Sequence, residues 1–360
     1  MPLLETIVGM YGILALTHLF IQINLSHAHY LRARKSVFNP SFHPSVAVII
    51  PTYNEEEQAL EDTVRAVVEQ KYPGKMDIGI GNDGSKDPAG FYRVRQKYGH
   101  HSHVHFIDIK QNKGKRHAQK HGFDYLAGKA QLIVTIDSDT ILDPHAIRHL
   151  VQPFEDSNVG AVTGDVKVIK TKNLLSQLIA GRYWAAFHQE RAAQSFFGTV
   201  LCCSGPLAAY RNNIIQRVKE NYISQYFLGE QCTYGDDRHL TNLVLEQGYT
   251  VRFAPAAKAW THVPHSIRQY LKQQTRWNKS FYRELLWTIR MVISDPKKLH
   301  PYIIYDLTIM TVLPFLLMIS LAFAVYQSVT ISGYYLLGYL AVMIGIATIR
   351  SLYGVYRTSD

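Results

Sequence analysis

Two aspartates, Asp137 and Asp139, stand directly after the apolar run Leu132–Ile136, with one small residue between them. A short, continuous apolar run is typical of a buried strand in a mainly parallel sheet. Ligands of such sheets bind beyond the carboxyl ends of the strands, where these two carboxylates are expected to lie. Hard oxygen ligands in this place suit a Mg²⁺ or Mn²⁺ ion that also holds phosphate oxygens. On this stretch alone, an Asx-type turn after a strand is an equally good interpretation.

A second pair of acids, Asp236 and Asp237, lies in the run Gly235–Arg238. Adjacent carboxylates repel each other, which raises the pKa of one of them and suits a general base. Acidic residues are also favourable in the first turn of a helix, and His239–Leu243 continues with a helical pattern. The two interpretations are compatible.

Polar residues also follow two earlier apolar runs, at the strand ends where a nucleotide site belongs in an open α/β sheet. They are Thr52, Tyr53 and Glu55 after the run Val46–Ile50, and Asp83 after the run Met76–Ile80. An aspartate can accept a hydrogen bond from the imide N–H of a uracil, and a tyrosine ring can lie against the base. For Asp83, an ordinary Asp-Gly turn is the competing interpretation.

Two further stretches supply residue types that suit a substrate bearing a diphosphate. The run Lys113–Arg116 carries three cations that would neutralise a diphosphate, although such a run is also typical of a solvated face. The run Leu201–Pro206 predicts a strand and a tight turn, where a small residue such as Gly205 permits close approach of a substrate.

Four histidines, at positions 100, 101, 103 and 105, alternate along one segment. We interpret this cluster as the solvated start of a strand rather than a metal site, because no spaced carboxylate or cysteine accompanies it.

The elements that must position these residues alternate between strands and helices. Helical patterns over 60–70 and 173–197 separate the apolar runs, and another predicted strand covers Val104–Ile109. Strands that alternate with helices predict an α/β fold with right-handed crossovers and a doubly wound sheet.

The composition points to an anionic partner. The 360-residue chain carries a formal charge of +10, which favours a nucleotide, an acidic polymer or phospholipid. It has no basic low-complexity run or RNA-binding signature, so we expect no nucleic-acid partner. The three cysteines are an odd number and two are adjacent, which argues against a disulfide framework and favours a reducing, cytosolic environment.

Three stretches are long and apolar enough to predict membrane spans: Leu3–Ile23, Leu307–Val325 and Tyr334–Ile349. Basic residues follow the first span and none precedes it, which is the reverse of a signal peptide and places the next domain on the cytoplasmic side. Basic residues after the last span agree with this orientation. A buried core helix is the alternative for each stretch.

The segment 266–293 is basic and amphipathic, a pattern suited to lying in the headgroup layer of a membrane. Its apolar positions recur at helical spacing: Ile267, Leu271, Trp277, Phe281, Leu285, Ile289 and Val292. Its cations are interleaved with them: Arg268, Lys272, Lys279, Arg283 and Arg290. Within it, Gln273, Arg276 and Trp277 offer a guanidinium for a phosphate and an indole for a sugar face.

Taken in order, four motifs resemble the processive family 2 glycosyltransferases of the membrane-integrated synthase type. The motifs are Asn82-Asp83-Gly84-Ser85, Asp137-Ser138-Asp139, Gly235-Asp236-Asp237-Arg238 and Gln273-x-x-Arg276-Trp277. Two branches are similar, the hyaluronan synthases and the nodulation chito-oligosaccharide synthases. The Gly-Asp-Asp-Arg motif and the run Arg276–Glu284 resemble the hyaluronan branch more.

The resemblance implies a GT-A-like fold with a doubly wound mixed sheet, interfacial amphipathic helices and about three transmembrane helices. The corresponding segments are an N-terminal span at 1–30, a cytosolic catalytic domain at 36–264, interfacial helices at 265–300 and C-terminal spans at 301–360. It further implies an integral plasma membrane protein with its catalytic domain in the cytosol. Hyaluronan synthases generally carry more membrane helices than three, and a three-span layout is closer to the nodulation type.

The resemblance also implies partners and residue roles. UDP-GlcNAc and UDP-glucuronate would be used alternately, with inversion, to extend a nascent polysaccharide beside membrane lipid, in one copy or a homo-oligomer. The nucleotide would contact Thr52, Tyr53, Glu55, Asp83 and Lys115. Asp139, aided by Asp137, would hold Mg²⁺ or Mn²⁺, and Asp237, beside Asp236, would act as the base. Gln273, Arg276 and Trp277 would border the pyrophosphate and the acceptor, which would also meet Cys232 and Gly205.

Overall fold

The computed structural model describes residues 2–35, 38–169, 172–296 and 299–359, with the backbone alone for residues 2–8, 358 and 359. The chain divides into two compact units. The sheet unit comprises Ser36–Tyr183 and Gly198–Leu299. The helical unit comprises Met1–Lys35, Trp184–Phe197 and His300–Asp360.

The sheet unit is built on one eight-stranded mixed sheet, with a separate two-stranded hairpin. Its strands are β1 (Val46–Thr52), β2 (Met76–Asp83), β3 (Val104–Ile109), β4 (Leu132–Thr135), β5 (Thr140–Leu142), β6 (Val159–Val168), β7 (Ala208–Arg211) and β10 (Thr250–Thr261). The hairpin pairs β8 (Tyr226–Phe227) with β9 (Glu230–Gln231). The order across the large sheet is β3-β2-β1-β4-β7-β6-β10-β5.

The first half of the sheet is parallel. It contains the topological switch point, where the strand order changes from one side of β1 to the other. Strand β1 pairs in parallel with β2 on one side and with β4 on the other, and β2 pairs in parallel with β3. Every residue of β1 is buried, as its run of β-branched residues predicts. Because consecutive connections wind to opposite sides of β1, its carboxyl end and that of β4 border one crevice.

The second half makes the sheet mixed. Strand β7 pairs antiparallel with both β4 and β6, and β5 pairs antiparallel with β10. The pairing of β10 with β6 is parallel and shifts register between Ala254 and Lys258, which is the mark of a β-bulge. The mixed sheet predicted from the sequence is confirmed.

The helices of the sheet unit cover the sheet and lead into its loops. They are α2 (Glu57–Val68), α3 (Ala89–Tyr98), α4 (Lys115–Tyr125), α5 (Ala146–Leu150), α6 (Leu174–Ala185), α8 (Asn212–Ile223), α9 (Asp236–Glu246) and α10 (Ile267–Ser294). Helix α6 continues beyond Tyr183 into the helical unit. The core under α2 and α3 includes Leu60, Val64 and Phe91.

The strand predicted at Leu201–Pro206 is wrong. These residues form a bend, an irregular stretch and a turn at Gly205–Pro206, and the strand β7 begins only at Ala208. The stretch is nevertheless held in place, because the backbone N–H of Cys203 donates to Thr241 Oγ1 (2.9 Å) and that of Ser204 donates to Thr163 Oγ1 (3.1 Å). Side-chain acceptors replace the ladder that a strand would have made.

Helix α10 spans 28 residues and exposes apolar side chains. Ile267 is 68% exposed, Leu271 58% and Ile293 77%, whereas its buried positions are mostly polar: Ser280, Arg283, Glu284, Thr288 and Met291. An apolar face that the protein does not cover fits the predicted interfacial position.

The helical unit consists of α1 (Pro2–Lys35), a π-helical segment (Ala186–Arg191), α7 (Ala192–Phe196), α11 (Tyr302–Thr330) and α12 (Tyr334–Ser359). Residues Trp184–Phe197 belong to this compact unit, where Ser26 Oγ donates to the His188 carbonyl oxygen (2.6 Å) and Gln194 Nε2 donates to Asp306 Oδ2 (2.7 Å). The domain bounds predicted from the sequence, with the catalytic domain at 36–264, stay a prediction.

Two described helices are long and apolar enough to cross a membrane, Tyr302–Thr330 and Tyr334–Arg357. They contain the two C-terminal spans predicted from the sequence. The predicted N-terminal span lies within α1, which is not among these candidates in the described part of the chain, so it stays a prediction.

Candidate active site

The carboxyl ends of β1 and β2 bring the expected nucleotide residues together. Thr52 and Asp83, which end these strands, are 3% and 2% exposed, whereas Tyr53 is 42% exposed and leaves its ring open to a ligand. Asn54 holds a left-handed backbone (φ 50°), which is uncommon without glycine. Its N–H donates to Ser85 Oγ (2.8 Å) and its Oδ1 accepts from the Lys86 N–H (2.8 Å), so the two strand ends are tied to each other.

Asp83 organises the loop that leads into α4. Its Oδ1 accepts from the Lys113 N–H (3.2 Å) and its Oδ2 accepts from Asn112 Nδ2 (3.2 Å). A carboxylate has about four lone-pair sites, so Asp83 retains acceptor capacity for a base N–H.

Asp137, Asp139 and Glu55 converge beyond the ends of β4 and β1. Burial, followed by the charges of Asp137 and Glu55, raises the pKa of Asp139 to about 6. Thr261 Oγ1 donates to Asp139 Oδ1 (3.4 Å), and Ser138 Oγ donates to Glu55 Oε2 (2.6 Å). This crowding of negative charge is what a divalent cation would relieve.

The donor set fits a metal that shares its ligands with a substrate. Among the described residues no group of three or more His, Cys, Asp or Glu side chains is placed to hold a metal by itself. Mg²⁺ and similar ions are commonly held by one or two carboxylates together with substrate phosphates, which is the arrangement that Asp139 and Asp137 offer.

Lys115 joins the two acidic clusters. Its Nζ lies 2.7 Å from Asp137 Oδ1 and 2.8 Å from Asp236 Oδ2. Burial would lower the pKa of the ammonium, but the Asp137 and Asp236 carboxylates outweigh it and hold this pKa well above its usual value. The structure thus brings the acids at 137–139 and 236–237 into one site.

The environments of Asp236 and Asp237 separate their pKa values. Burial opposes ionisation of both, but the Lys115 ammonium reverses it for Asp236, whose pKa is lowered. Burial and the neighbouring Asp236 charge raise the pKa of Asp237. Asp237 accepts from the Arg238 N–H (2.8 Å) and from Cys202 Sγ (3.3 Å). Two acids with opposed shifts are the arrangement that acid–base chemistry uses.

Gly205 lies against this site. A Cβ at this position would stand 2.9 and 3.0 Å from the Asp137 carboxylate oxygens and 3.1 Å from Lys115 Nζ. The small residue is therefore needed for the close approach of Asp137 and Lys115.

Cys232 begins the segment that leads to Asp236 and Asp237, which we call the acceptor loop (Cys232–Gly235) after its expected role. The thiol is buried, and the Cys232 N–H donates to the Gln225 carbonyl oxygen (2.9 Å) across the β8–β9 hairpin. A small cavity lies between this loop and the start of α4. It is lined by Lys113, Gly114, Arg116, His117, Ile223, Gln231, Cys232 and Thr233.

Gln273, Arg276 and Trp277 share a stretch of α10 apart from the acids. Trp277 is 42% exposed and its ring lies 6.5 Å from that of Tyr183. Within the described residues, no hydrogen bond or ion pair joins the three side chains to the acidic clusters. Lys115 therefore connects the acids at 137–139 and 236–237 into one group, and these contacts do not link the three residues of α10 to it.

Several residues around Asp236 and Asp237 were not predicted. The sequence placed Arg283 among the cations interleaved along the amphipathic segment 266–293, but it is buried and its Nη2 donates to the Tyr234 carbonyl oxygen (2.7 Å). Arg116 Nη2 donates to the same oxygen (3.0 Å). Glu284 and His239 are also buried. The signal was the polar spacing Ser280, Glu284 and Thr288, four residues apart on one face of a helix.

The histidine cluster stays outside this chemistry. The rings of His100 and His101 lie 4.1 Å apart and those of His101 and His103 5.6 Å apart, and the cluster forms no metal-binding group among the described residues.

The sequence matches the family model described as glycosyltransferase like family 2 over residues 43–280. The chain belongs to this family. It is 38% identical over 300 residues to the hyaluronan synthase of Streptococcus pyogenes serotype M3. This match covers 80% of this chain and 68% of that protein. It is also 38% identical over 265 residues to an N-acetylglucosaminyltransferase of Azorhizobium caulinodans, covering 73% of this chain and 65% of that protein.

A second rhizobial N-acetylglucosaminyltransferase, from Mesorhizobium japonicum, is 36% identical over 288 residues, covering 80% of this chain and 66% of that protein. A solved structure with the same fold is the mannosyltransferase PcManGT from Pyrobaculum calidifontis in complex with GDP-Man and Mn²⁺. It superposes with a TM-score of 0.63, covers 97% of this chain and 94% of its own, and is 21% identical. The predicted GT-A fold and the family resemblance are confirmed.

Proposed function

We propose that this family 2 glycosyltransferase is a membrane-bound hyaluronan synthase that transfers sugars from UDP-GlcNAc and UDP-glucuronate alternately, with inversion, to a growing polysaccharide. One observation carries the proposal: Lys115 Nζ lies 2.7 Å from Asp137 and 2.8 Å from Asp236, so the donor-side and acceptor-side acids form one site. The charge of +10 suits anionic donors and a glucuronate-containing product.

The donor side uses the ends of β1, β2 and β4. Asp83 accepts from the base, the exposed Tyr53 ring lies against it, and Thr52 and Glu55 border the sugar nucleotide. Asp139 and Asp137 would hold Mg²⁺ or Mn²⁺, which would supply the positive charge that neutralises the diphosphate leaving group. Lys115, already placed among the acids, is within reach of the same diphosphate.

The acceptor side uses the start of α9. Asp237 takes the proton from the attacking hydroxyl, because its raised pKa favours holding a proton, while Asp236 stays ionised beside Lys115. Gly205 and Cys232 border the acceptor. Gln273, Arg276 and Trp277 border the pyrophosphate and the acceptor from α10, where a partly exposed indole suits a sugar face.

We place the catalytic domain at the cytosolic surface of the plasma membrane, in contact with lipid through α10. The two apolar C-terminal helices and the hyaluronan synthase relatives support a membrane protein. A homo-oligomer is compatible with this arrangement, and no nucleic-acid partner is proposed.

The second candidate product is a chito-oligosaccharide, because the rhizobial N-acetylglucosaminyltransferases are 38% and 36% identical to the chain. In that case UDP-GlcNAc alone would be polymerised to a chito-oligosaccharide.

A donor-dependence assay decides between the two products. Membranes containing the full chain are given labelled UDP-GlcNAc and Mg²⁺ or Mn²⁺, with or without UDP-glucuronate. We expect a hyaluronidase-sensitive polymer only when both donors are present, and none after chelation of the metal. A chitinase-sensitive product that forms at full rate without UDP-glucuronate would establish the chito-oligosaccharide activity instead.

A further inference from the structure

Glu284 is a buried carboxylate that the transfer chemistry does not use. Its side chain is 1% exposed, on the face of α10 that packs against α9. Oε1 accepts from Arg283 Nε (3.0 Å) and from Gln225 Nε2 (2.7 Å). Oε2 lies 3.2 Å from His239 Nδ1 and accepts from Asn242 Nδ2 (3.0 Å). The carboxylate therefore meets two polar partners at each oxygen.

These partners come from the elements that surround the base. His239 and Asn242 lie on α9, two and five residues after Asp237 along the chain. Gln225 stands at the foot of the β8–β9 hairpin, and its carbonyl oxygen accepts from the N–H of Cys232 (2.9 Å). The carboxylate thus reaches α9 directly and the acceptor loop through Gln225.

Arg283 extends the same network to the other end of the loop. It pairs with Glu284 and donates to the Tyr234 carbonyl oxygen (2.7 Å), just before Gly235. Gly235 adopts a left-handed backbone (φ 73°), and a Cβ there would collide with the Ser280 hydroxyl and lie 2.7 Å from Arg283 Nη2. Helix α10 therefore packs directly on the residue that precedes the two acids.

We propose that Glu284 is a positioning residue, which holds the acceptor loop and the first turn of α9 against α10 so that Asp237 faces the acceptor. The inference rests on the proposed glycosyl transfer for its kinetic meaning. The charge matters as well as the shape, because a buried carboxylate with several donors orders all of them at once. The donor-side residues Asp83 and Asp139 make no contact with this network among the described residues.

Alkylation of the native cysteines tests the proposal without requiring activity. Cys232 is 7% exposed in the acceptor loop, whereas Cys203 is fully buried and serves as the marker of global unfolding. The full chain in detergent is treated with a maleimide, and the rate at each cysteine is read by peptide mass spectrometry. In Glu284→Gln we expect Cys232 to react about tenfold faster while Cys203 does not change.

Kinetics give a second readout that separates positioning from a general loss of structure. We expect Glu284→Gln to lower kcat about tenfold or more with the KM for the sugar nucleotide unchanged, since only the acceptor side is displaced. Glu284→Asp, which keeps the charge, should recover part of the loss. If the wild-type chain transfers no sugar, the proposed function fails, yet the alkylation result still decides the role of Glu284.

A milder variant covers the case in which Glu284→Gln does not fold. Gln225→Ala removes one hydrogen bond at Oε1 and leaves the other three partners, and Cys232 should react about threefold faster. The matched control is Glu220→Gln, the same change at a side chain that is 67% exposed, which should leave both readouts at wild-type values. Unchanged Cys232 reactivity in Glu284→Gln and Gln225→Ala, or a parallel rise at Cys203, overturns the proposal.

Discussion

The acids around Lys115 differ in how their surroundings shift their pKa values. Asp236 stays ionised because an ammonium stands 2.8 Å away, whereas Asp237, one residue later, is half-buried beside a like charge and holds protons more readily. Position in the fold, rather than residue type, therefore shifts the pKa values of the two acids in opposite directions. The sequence predicted that one of the two would have a raised pKa, but only the contact with Lys115 indicates which.

Asp237→Asn should lower sugar transfer about 100-fold or more, because an amide cannot take the proton of the acceptor hydroxyl. UDP binding, measured by calorimetry, should stay near the wild-type value, since the expected nucleotide residues lie at the ends of β1 and β2. Asp87→Asn is the matched control, because the exposed Asp87 only caps the Ala89 N–H and an amide oxygen can do the same. Wild-type turnover in Asp237→Asn would remove this residue from the role of base.

Gly205→Ala should reduce kcat roughly 10- to 100-fold, because the new methyl group pushes the Asp137 carboxylate and the Lys115 ammonium apart. The atoms in its way are the ends of flexible side chains, so the melting temperature should change little. Gly128→Ala provides the comparison, since a Cβ there meets nothing within 4 Å. Full activity in Gly205→Ala would show that this close approach is dispensable.

At the level of elements, a polar network links α9 and α10. Contacts with His239, Gln225 and Arg283 outweigh burial and lower the pKa of Glu284 to about 2. A carboxylate whose pKa is lower in the folded state stabilises the fold above its unfolded pKa. That stabilisation is lost as the pH falls from the unfolded value of 4.5 towards the folded value.

The pH dependence of unfolding should report this link. At neutral pH the lowered pKa of Glu284 corresponds to stabilisation on the order of 3 kcal/mol. The difference in melting temperature between wild type and Glu284→Gln should be constant from pH 8 to about 5 and shrink as the pH falls below 4.5. A difference that stays constant down to pH 3 would show that the carboxylate is not held ionised by its partners.

How far the sequence predicts these elements depends on where their partners lie. The strands at Val46 and Leu132 were predicted because continuous apolar runs between turn residues carry their own signal, and those at Met76 and Val104 because most of their residues are apolar and turn residues flank them. The stretch Leu201–Pro206 looks the same locally, but Thr163 and Thr241 supply its hydrogen bonds from distant parts of the chain. Arg283 was misplaced for a similar reason, because Tyr234 and Glu284, which account for its burial, are evident only once α9 and α10 are packed.

For the whole molecule, the predicted orientation places the sheet unit in the cytosol and the turn between α11 and α12 outside the cell. Of the described helices, the two C-terminal ones meet the length and apolarity of a membrane span. The orientation follows from the basic residues that flank the predicted spans, and it stays a prediction.

Cysteine labelling in intact cells tests this orientation. Ser332→Cys, between α11 and α12, should react with a membrane-impermeant maleimide from outside. Asn213→Cys, at an exposed position of α8, should react only after the cells are permeabilised. Labelling of Asn213→Cys in sealed cells would reverse the orientation and move the sugar nucleotide site to the wrong side of the membrane for a cytosolic donor.

The outward apolar residues of α10 also bear on how this enzyme can be handled. Removing α11 and α12 together with α1, which contains the predicted N-terminal span, would still leave Ile267, Leu271 and Ile293 exposed on the sheet unit. Such a shortened protein should still sediment with lipid and need detergent for purification. The apolar face of α10 stays exposed whichever other helices are removed, and it would partition into a lipid surface.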